Sequence, residues 1–443
     1  MGKHHRILTI VAVVLSMSCA RQVQPENVIL ISIDTLRADH LGCYGHEAPT
    51  SPTLDGLAAE GLLFEDVSTP SPWTLPAHAS MLTGLYPNRH ALKSNYTALP
   101  QDVATMAEVL REQGFATGAI VNSHHLSRRY GLDRGFAEFH YVPEHVSEIE
   151  PSRVGAMAEE WLAKRDDGRF FLFLHYYDVH SDYRSLPRYE EMFVGPYAGE
   201  ADGSTALLQS VRWGQATLTP DDVAHLIDLY DAGIRQMDDG IARLLRFLDS
   251  SGLADNTLVV VTSDHGEEFL EHGGVLHGRT HYQEIVQVPL IMRGPGLPRG
   301  RRIASPISLI DLMPTLLARV GVDVDPALDG IDLRPTWADP ADTVPARALF
   351  FGADWKNAHH DVKRAVREDG YKLMVDRLSG SSELYNIVDD PEELNDLSRT
   401  EVQKVSRLFV RLEEYLEVNI EGLPLDEIPP EDLEKLRSLG YIQ

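Results

Sequence analysis

The sequence is poor in cysteine and in basic residues. Its two cysteines are Cys19 and Cys43, so once an N-terminal leader is removed neither an internal disulfide nor a cysteine-rich metal site is available. Lys and Arg number 40 against 67 Asp and Glu, for a formal net charge of −27. That deficit excludes nucleic acid as a partner, because a phosphate backbone needs a basic face. The charge of a local site can still oppose the global sign. Beyond the first 20 residues no stretch is apolar enough to span a membrane, and there are no repeats or low-complexity tracts.

What is present begins with a leader. Lys3, His4, His5 and Arg6 precede an apolar run from Ile7 to Leu15, then Ser16, Met17, Ser18 and Cys19. Residues 1–19 read as an export signal, placing the chain in the periplasm or cell envelope. A cysteine directly after the run resembles a bacterial lipoprotein cleavage site, and lipid on Cys19 would be the one means of membrane attachment. Ser16 stands where such sites usually hold an aliphatic residue; the alternative is a secreted chain cut near Ala20.

The remainder is ordinary globular composition, 43% hydrophobic and 24% charged. Apolar runs of strand length occupy Asn27 to Ile33, Thr117 to Val121, Phe170 to Tyr176, Thr257 to Thr262 and Val288 to Met292. Helical patterns fall between them, at Leu99 to Glu112, Ser152 to Lys164 and Asp221 to Leu248. Alternation of this kind predicts an α/β fold with a mostly parallel central sheet flanked by helices. From about Arg347 the pattern changes to short strands with turns at Asp369-Gly370 and Ser379-Gly380, followed by a charged helix from Glu401 to Val418. We therefore expect a main unit over residues 26–345 and a smaller α+β unit over 346–443.

Ligands of parallel sheets bind beyond the carboxyl ends of the strands, and two acidic residues stand there, Asp34 and Asp264. A carboxylate at a strand end is costly to bury unless a cation or donors satisfy it, though a helix cap is the simpler role. His265 follows Asp264 directly. Carboxylate plus imidazole suits zinc or manganese better than calcium, which prefers all-oxygen shells. Thr74 precedes a probable helix with Pro76 in its first turn, an anion-friendly place for a hydroxyl, or again merely a cap. Histidines recur at His124, His125, His175, His180, His272, His277 and His281.

These segments carry a family resemblance. Asn27 to Asp34 with Leu41-Gly-Cys-Tyr-Gly45, Thr74 to Gly84, Ser263-Asp-His-Gly-Glu267 with Glu271-His-Gly273, Val288-Pro-Leu-Ile291 and Ser308 to Leu317 occur in one order. Gly370-Tyr-Lys-Leu373, Glu383-Leu-Tyr-Asn386 and Asp390-Pro-Glu392 continue it. The chain resembles the sulfatase family of the alkaline phosphatase superfamily from about residue 26 to its end. The resemblance implies a divalent metal on Asp34, Asp264 and His265, and Thr74 at the nucleophile position. There sulfatases carry a Cys or Ser that becomes formylglycine, for which threonine is not a known precursor. It implies substrate contacts from His78, Asn122 and His124, and leaving-group protonation by His180 or His277. Asp231 and Arg235 replace the Asp-x-x-x-His of a two-zinc site, which favours one ion.

The departures resemble the phosphate-handling members of the superfamily: threonine as nucleophile, an Asp-His metal pair, and Asn122 in place of lysine. The expected activity is hydrolysis of sulfate or phosphate-type esters of small molecules or glycans through a covalent Thr74 ester. Alternatives are a transferase passing a phospho-group to a glycan or lipid, and a non-catalytic binder of anionic glycans. Specificity is expected from the loops Tyr141 to Pro151 and Ser181 to Gln215.

Overall fold

The computed structural model describes residues 25–425, except 145–152, 166–167, 339–342, 357–358 and 361. The expected leader with Cys19, and most of the Tyr141 to Pro151 loop, lie outside the described residues. Eight strands form the central sheet: β1 (Asn27–Ile33), β2 (Leu62–Phe64), β3 (Ala116–Val121) and β4 (Glu138–Tyr141). They are joined by β5 (Phe170–Tyr176), β6 (Thr257–Ser263), β7 (Leu290–Arg293) and β8 (Arg301–Ile303). The spatial order is β8-β2-β7-β6-β1-β5-β3-β4. The run β6-β1-β5-β3-β4 is parallel throughout, and β7 pairs antiparallel with both β6 and β2.

Every residue of β1, β5 and β6 is buried, because helices cover both faces of the sheet. Along β1 the side chains alternate between two cores: Val28 and Leu30 enter one, while Ile29, Ile31 and Ile33 enter the other. The helix foreseen from Leu99 begins only at Met106, where Thr105 and Glu108 form a reciprocal capping box. The long helix Pro220–Ser250 starts the same way, with Thr219 and Asp222, and has Pro220 at its first position.

The C-terminal strands are β9 (Leu349–Phe351), β10 (Lys363–Glu368), β11 (Tyr371–Asp376) and β12 (Ser382–Asn386), paired antiparallel in that order. The turn between β10 and β11 has positive φ at both Asp369 (52°) and Gly370 (79°), as a two-residue hairpin requires. One face of this sheet is covered by the helix Val402–Leu416 through Leu408 and Leu412. The other packs on Tyr282, Ile285 and Val286 of the central unit.

Strand register then places the chemistry. Ile33 lies level with Tyr176 of β5 and with Ser263 of β6. Asp34, the segment after Tyr176, and Asp264 therefore leave the sheet together at its carboxyl edge. The Asp34 amide donates to the Tyr176 carbonyl at 2.9 Å, holding the first exit level with the second.

The turn after Asp264 depends on close backbone packing. Gly266 N–H donates to the Ile285 carbonyl at 2.8 Å, and a Cβ on Gly266 would stand 1.9 Å from the Glu284 carbonyl oxygen. Gly266→Ala is expected to destabilise the fold by about 1–3 kcal/mol through overpacking. Chemical denaturation measures this, and a variant as stable as the parent would contradict the packing described.

Candidate functional site

At the carboxyl edge, Asp34, Asp264 and His265 meet with candidate ligand atoms all within 4.8 Å of one another, and all three are fully buried. His265 Nε2 is 3.3 Å from Asp264 Oδ2 and 3.6 Å from Asp34 Oδ1. Asp264 Oδ1 accepts from the Thr35 and His265 amides, at 3.3 and 3.0 Å. Asp264 Oδ2 and both Asp34 oxygens have no hydrogen-bond donor of good geometry. Imidazoles stand beside them, with His175 Nε2 at 3.4 Å from Asp34 Oδ2.

Two carboxylates in a dry pocket cannot both ionise cheaply. Burial and the charge of Asp34 push Asp264 upwards. Burial opposes ionisation of Asp34 as well, but His175, His180 and His265 outweigh it and hold that carboxyl well below the usual range. The donor chemistry fits a divalent cation. His265 Nδ1 faces the Gly266 carbonyl at 2.9 Å, so the proton belongs on Nδ1 and the Nε2 lone pair turns to the carboxylates. These three residues would hold the metal.

Thr74 opens the helix Thr74–Thr83, directly after extended Trp73. Trp73 is anchored by its indole N–H, which donates to the Ala353 carbonyl. Thr74 Oγ1 thereby stands 3.4 Å from His265 Nε2, at the positive end of a helix. On the other side of His265 lies His277, ring centroids 4.3 Å apart, and His180 packs edge-on to His277 at 5.0 Å. His277 Nδ1 pairs with Glu267 Oε1 at 2.9 Å. His180 Nδ1 faces the Ser181 carbonyl at 2.7 Å, and its ring stacks on Tyr177. Burial, then the neighbouring His265, lower the basicity of His277 well below normal; burial lowers His180 too.

Two residues expected to meet substrate already have partners within the protein. Asn122 was expected to offer donors to a bound anion, but its NH₂ group donates to the carbonyls of Val142 and Pro143 at 2.9 and 3.1 Å. Only the amide nitrogen can bond two carbonyls, so this orientation is forced and the donors face away. His78 was expected to contact substrate. Its Nδ1 instead donates to the Thr74 carbonyl at 2.8 Å, and its Nε2 meets Ser32 Oγ at 2.9 Å. Fully buried, and lowered to about 3 by burial and by His175 beside it, His78 is a neutral prop under Thr74. His124 lies nearby, buried, with its amide donating to Glu144.

His175, one of the recurring histidines, stands beside Asp34 in a place that its sequence position alone does not assign. A histidine near the end of the otherwise apolar Phe170–Tyr176 strand was the available signal. Glu267 and Glu144 were missed as well. Burial raises Glu267 well above the normal carboxyl range and Glu144 to about 7. His272 belongs elsewhere, stacked on Tyr282 and paired with Glu284 at 2.7 Å. A small cleft of about 20 Å³ borders His180, lined by Glu144, Tyr177, Ser181 and Arg184 among others. The larger cavity of about 840 Å³, between Gly195 and Asp228, contains none of these residues.

Comparison with known proteins gives a consistent answer. The family described as Sulfatase matches residues 26–322, and the N-sulphoglucosamine sulphohydrolase C-terminal family matches 271–420. The uncharacterized sulfatase YidJ of Escherichia coli is 27% identical over 414 residues, covering 84% of this chain and 82% of that protein. An N-acetylglucosamine-6-O-sulfatase of Bacteroides thetaiotaomicron is 24% identical, covering 89% and 87%. Among solved structures, one in complex with its substrate D-glucosamine-2-N,6-O-disulfate has a TM-score of 0.74 at 20% identity, covering 94% and 98%. The phosphonate monoester hydrolase of Agrobacterium radiobacter has a TM-score of 0.72 at 22% identity, covering 89% and 95%.

The buried carboxylate pair sets a pH dependence. In metal-free protein, protonated Asp264 contributes stability that is fully present below its unfolded pKa of about 3.9 and is lost as pH rises through its raised folded value. A divalent cation replaces that proton. Added metal is therefore expected to raise Tm more at about pH 8 than at about pH 5. Thermal denaturation with and without chelator checks the sign; an equal rise at both would contradict it.

Proposed function

This chain belongs to the sulfatase family, and from that premise we propose that it hydrolyses anionic monoesters with Thr74 as covalent nucleophile. The family's members act on sulfuric and phosphoric ester bonds and bind a divalent metal, and this chain is a hydrolase of that kind. The observation that carries the finer reading is the placement of Thr74 Oγ1, 3.4 Å from the Nε2 of His265, whose neighbouring carboxylates Asp34 and Asp264 leave three of four oxygens without a donor. A cation held by Asp34, Asp264 and His265 supplies Lewis acidity and lowers the pKa of a hydroxyl beside it.

The chain's own groups divide the remaining work. The Thr74 helix directs its N-terminal amides and dipole toward incoming negative charge. His78 fixes the Thr74 carbonyl from below, and so the start of the helix. Thr74 gives up its hydroxyl proton to solvent and its oxygen attacks sulfur or phosphorus as the bond to the leaving oxygen breaks; water later cleaves the Thr74 ester and restores the hydroxyl. His277 is oriented by Glu267, with its Nδ1 turned to that carboxyl and its Nε2 turned away. A bound anionic ester opposes the burial that depresses His277 and His180, and favours in one of them the protonated form, which protonates the leaving oxygen.

Thr74 in place of a formylglycine precursor favours a phosphoryl over a sulfuryl centre. The names of the relatives, an N-acetylglucosamine-6-O-sulfatase among them, support a glycan as the ester's carrier. The basic start and apolar run before Cys19 support export to the periplasm or envelope.

Purified protein assayed on aryl sulfate, phosphate monoester, phosphodiester and phosphonate esters tests this reading. Thr74→Ala is expected to lose about 10³-fold or more in kcat on the preferred ester. Turnover surviving in that variant would sink the nucleophile assignment, and sulfate preference would reverse the phosphoryl one. His277→Ala is expected to slow alkyl esters by about 10²–10⁴-fold while largely sparing nitrophenyl esters, whose leaving group needs no proton. Equal losses on both would remove His277 from that role.

A further inference from the structure

We infer that His40, His46 and Asp231 form a second metal site, of zinc type, which clamps the loop after β1 to the long helix. The three share no residue with the Asp34, Asp264 and His265 group, and their candidate ligand atoms also lie within 4.8 Å of one another. His40 ends the short turn Ala38–His40. The chain then makes a second turn, Gly42–Tyr44, closed by Gly45 at φ 110°, a value that favours glycine. The His46 amide donates back to the Leu41 carbonyl at 3.1 Å. This brings the two imidazoles side by side, ring centroids 5.1 Å apart.

Asp231 reaches them from the long helix Pro220–Ser250. His40 Nδ1 is 2.6 Å from its Oδ1, and His46 Nε2 is 3.0 Å from its Oδ2. A tetrahedral cation with ligands at roughly 2.0–2.2 Å sets those ligands about 3.3–3.6 Å apart, so side-chain shifts that widen both contacts by under about 1 Å admit the ion. Two imidazoles and one carboxylate form a zinc-type donor set, and three protein ligands leave one position for water. Access is available: the His46 side chain is 22% exposed while Asp231 is 7%.

The site has a job in the fold. Tyr230, the residue before Asp231, donates its hydroxyl to the Thr35 carbonyl at 2.7 Å and accepts from the Arg37 amide at 2.9 Å. Its ring also packs edge-on to His40 at 5.0 Å. Ligation at Asp231 reinforces the same attachment, which carries Asp34. The site is therefore a positioning and stabilising one, outside the chemistry.

The test uses full-length protein stripped by chelator and titrated with zinc by calorimetry, comparing wild type with His46→Ala. Wild type is expected to bind one more equivalent than the variant. The affinity lost exceeds about 100-fold, beyond the 10–100-fold cost of removing a mere supporting partner. Zinc is also expected to raise Tm further in wild type than in His46→Ala, with ester turnover of the variant preserved at 25 °C. Equal stoichiometry in the two proteins overturns the site, as does an equal Tm response. One equivalent in wild type and none in the variant keeps this site while removing the metal assignment at Asp34. His40→Asn provides a second variant reading the same equivalent.

Discussion

The structure turns on a pair of carboxylates that water cannot reach. Asp34 and Asp264 are both fully buried, and three of their four oxygens lack a good donor. Such a pair is tolerable only with a proton shared between the two or a cation in their midst. Much of the surrounding architecture follows from that demand. Imidazoles crowd the pocket, and Thr35 and His265 turn their amides onto the one satisfied oxygen.

The surrounding imidazoles are held by backbone carbonyls more than by charged partners. His265, His180 and His78 each direct Nδ1 to a main-chain oxygen, of Gly266, Ser181 and Thr74 respectively. Tautomers fixed this way leave every Nε2 with a lone pair and no need for a nearby anion. His277 differs in leaning on the Glu267 side chain. That one carboxyl sets His277 apart from the three imidazoles held by main-chain oxygens.

The parallel sheet was legible in the sequence because its central strands are buried on both faces and read as unbroken apolar runs, as in Asn27–Ile33 and Phe170–Tyr176. The edges were not. Arg301–Ile303 and Glu138–Tyr141 carry charges along an edge and present no run to detect. At the site, Asp34, Asp264 and His265 were visible from their places at strand ends, and the structure brings them together. For Asn122 and His78, motif position carries no information on where a side chain points. Asn122 is drawn away by two carbonyls of a loop 20 and 21 residues onward. Glu267 and Glu144 escaped notice because an acidic residue in an acidic chain stands out only when its burial is known.

The level exits of three parallel strands have a bearing on how the protein comes into being. Thr35 bonds to a carboxylate 229 positions further along the chain, and between them the polypeptide must complete β3, β4 and β5 and return to pair β6 beside β1. Contacts of such sequence separation form late and slowly, since loop closure precedes any reward. The chemistry is thus a property of the finished sheet alone. A fragment that ends before β6 lacks Asp264 and His265, and a chain that has not yet made its last parallel pairing has every ingredient and no site.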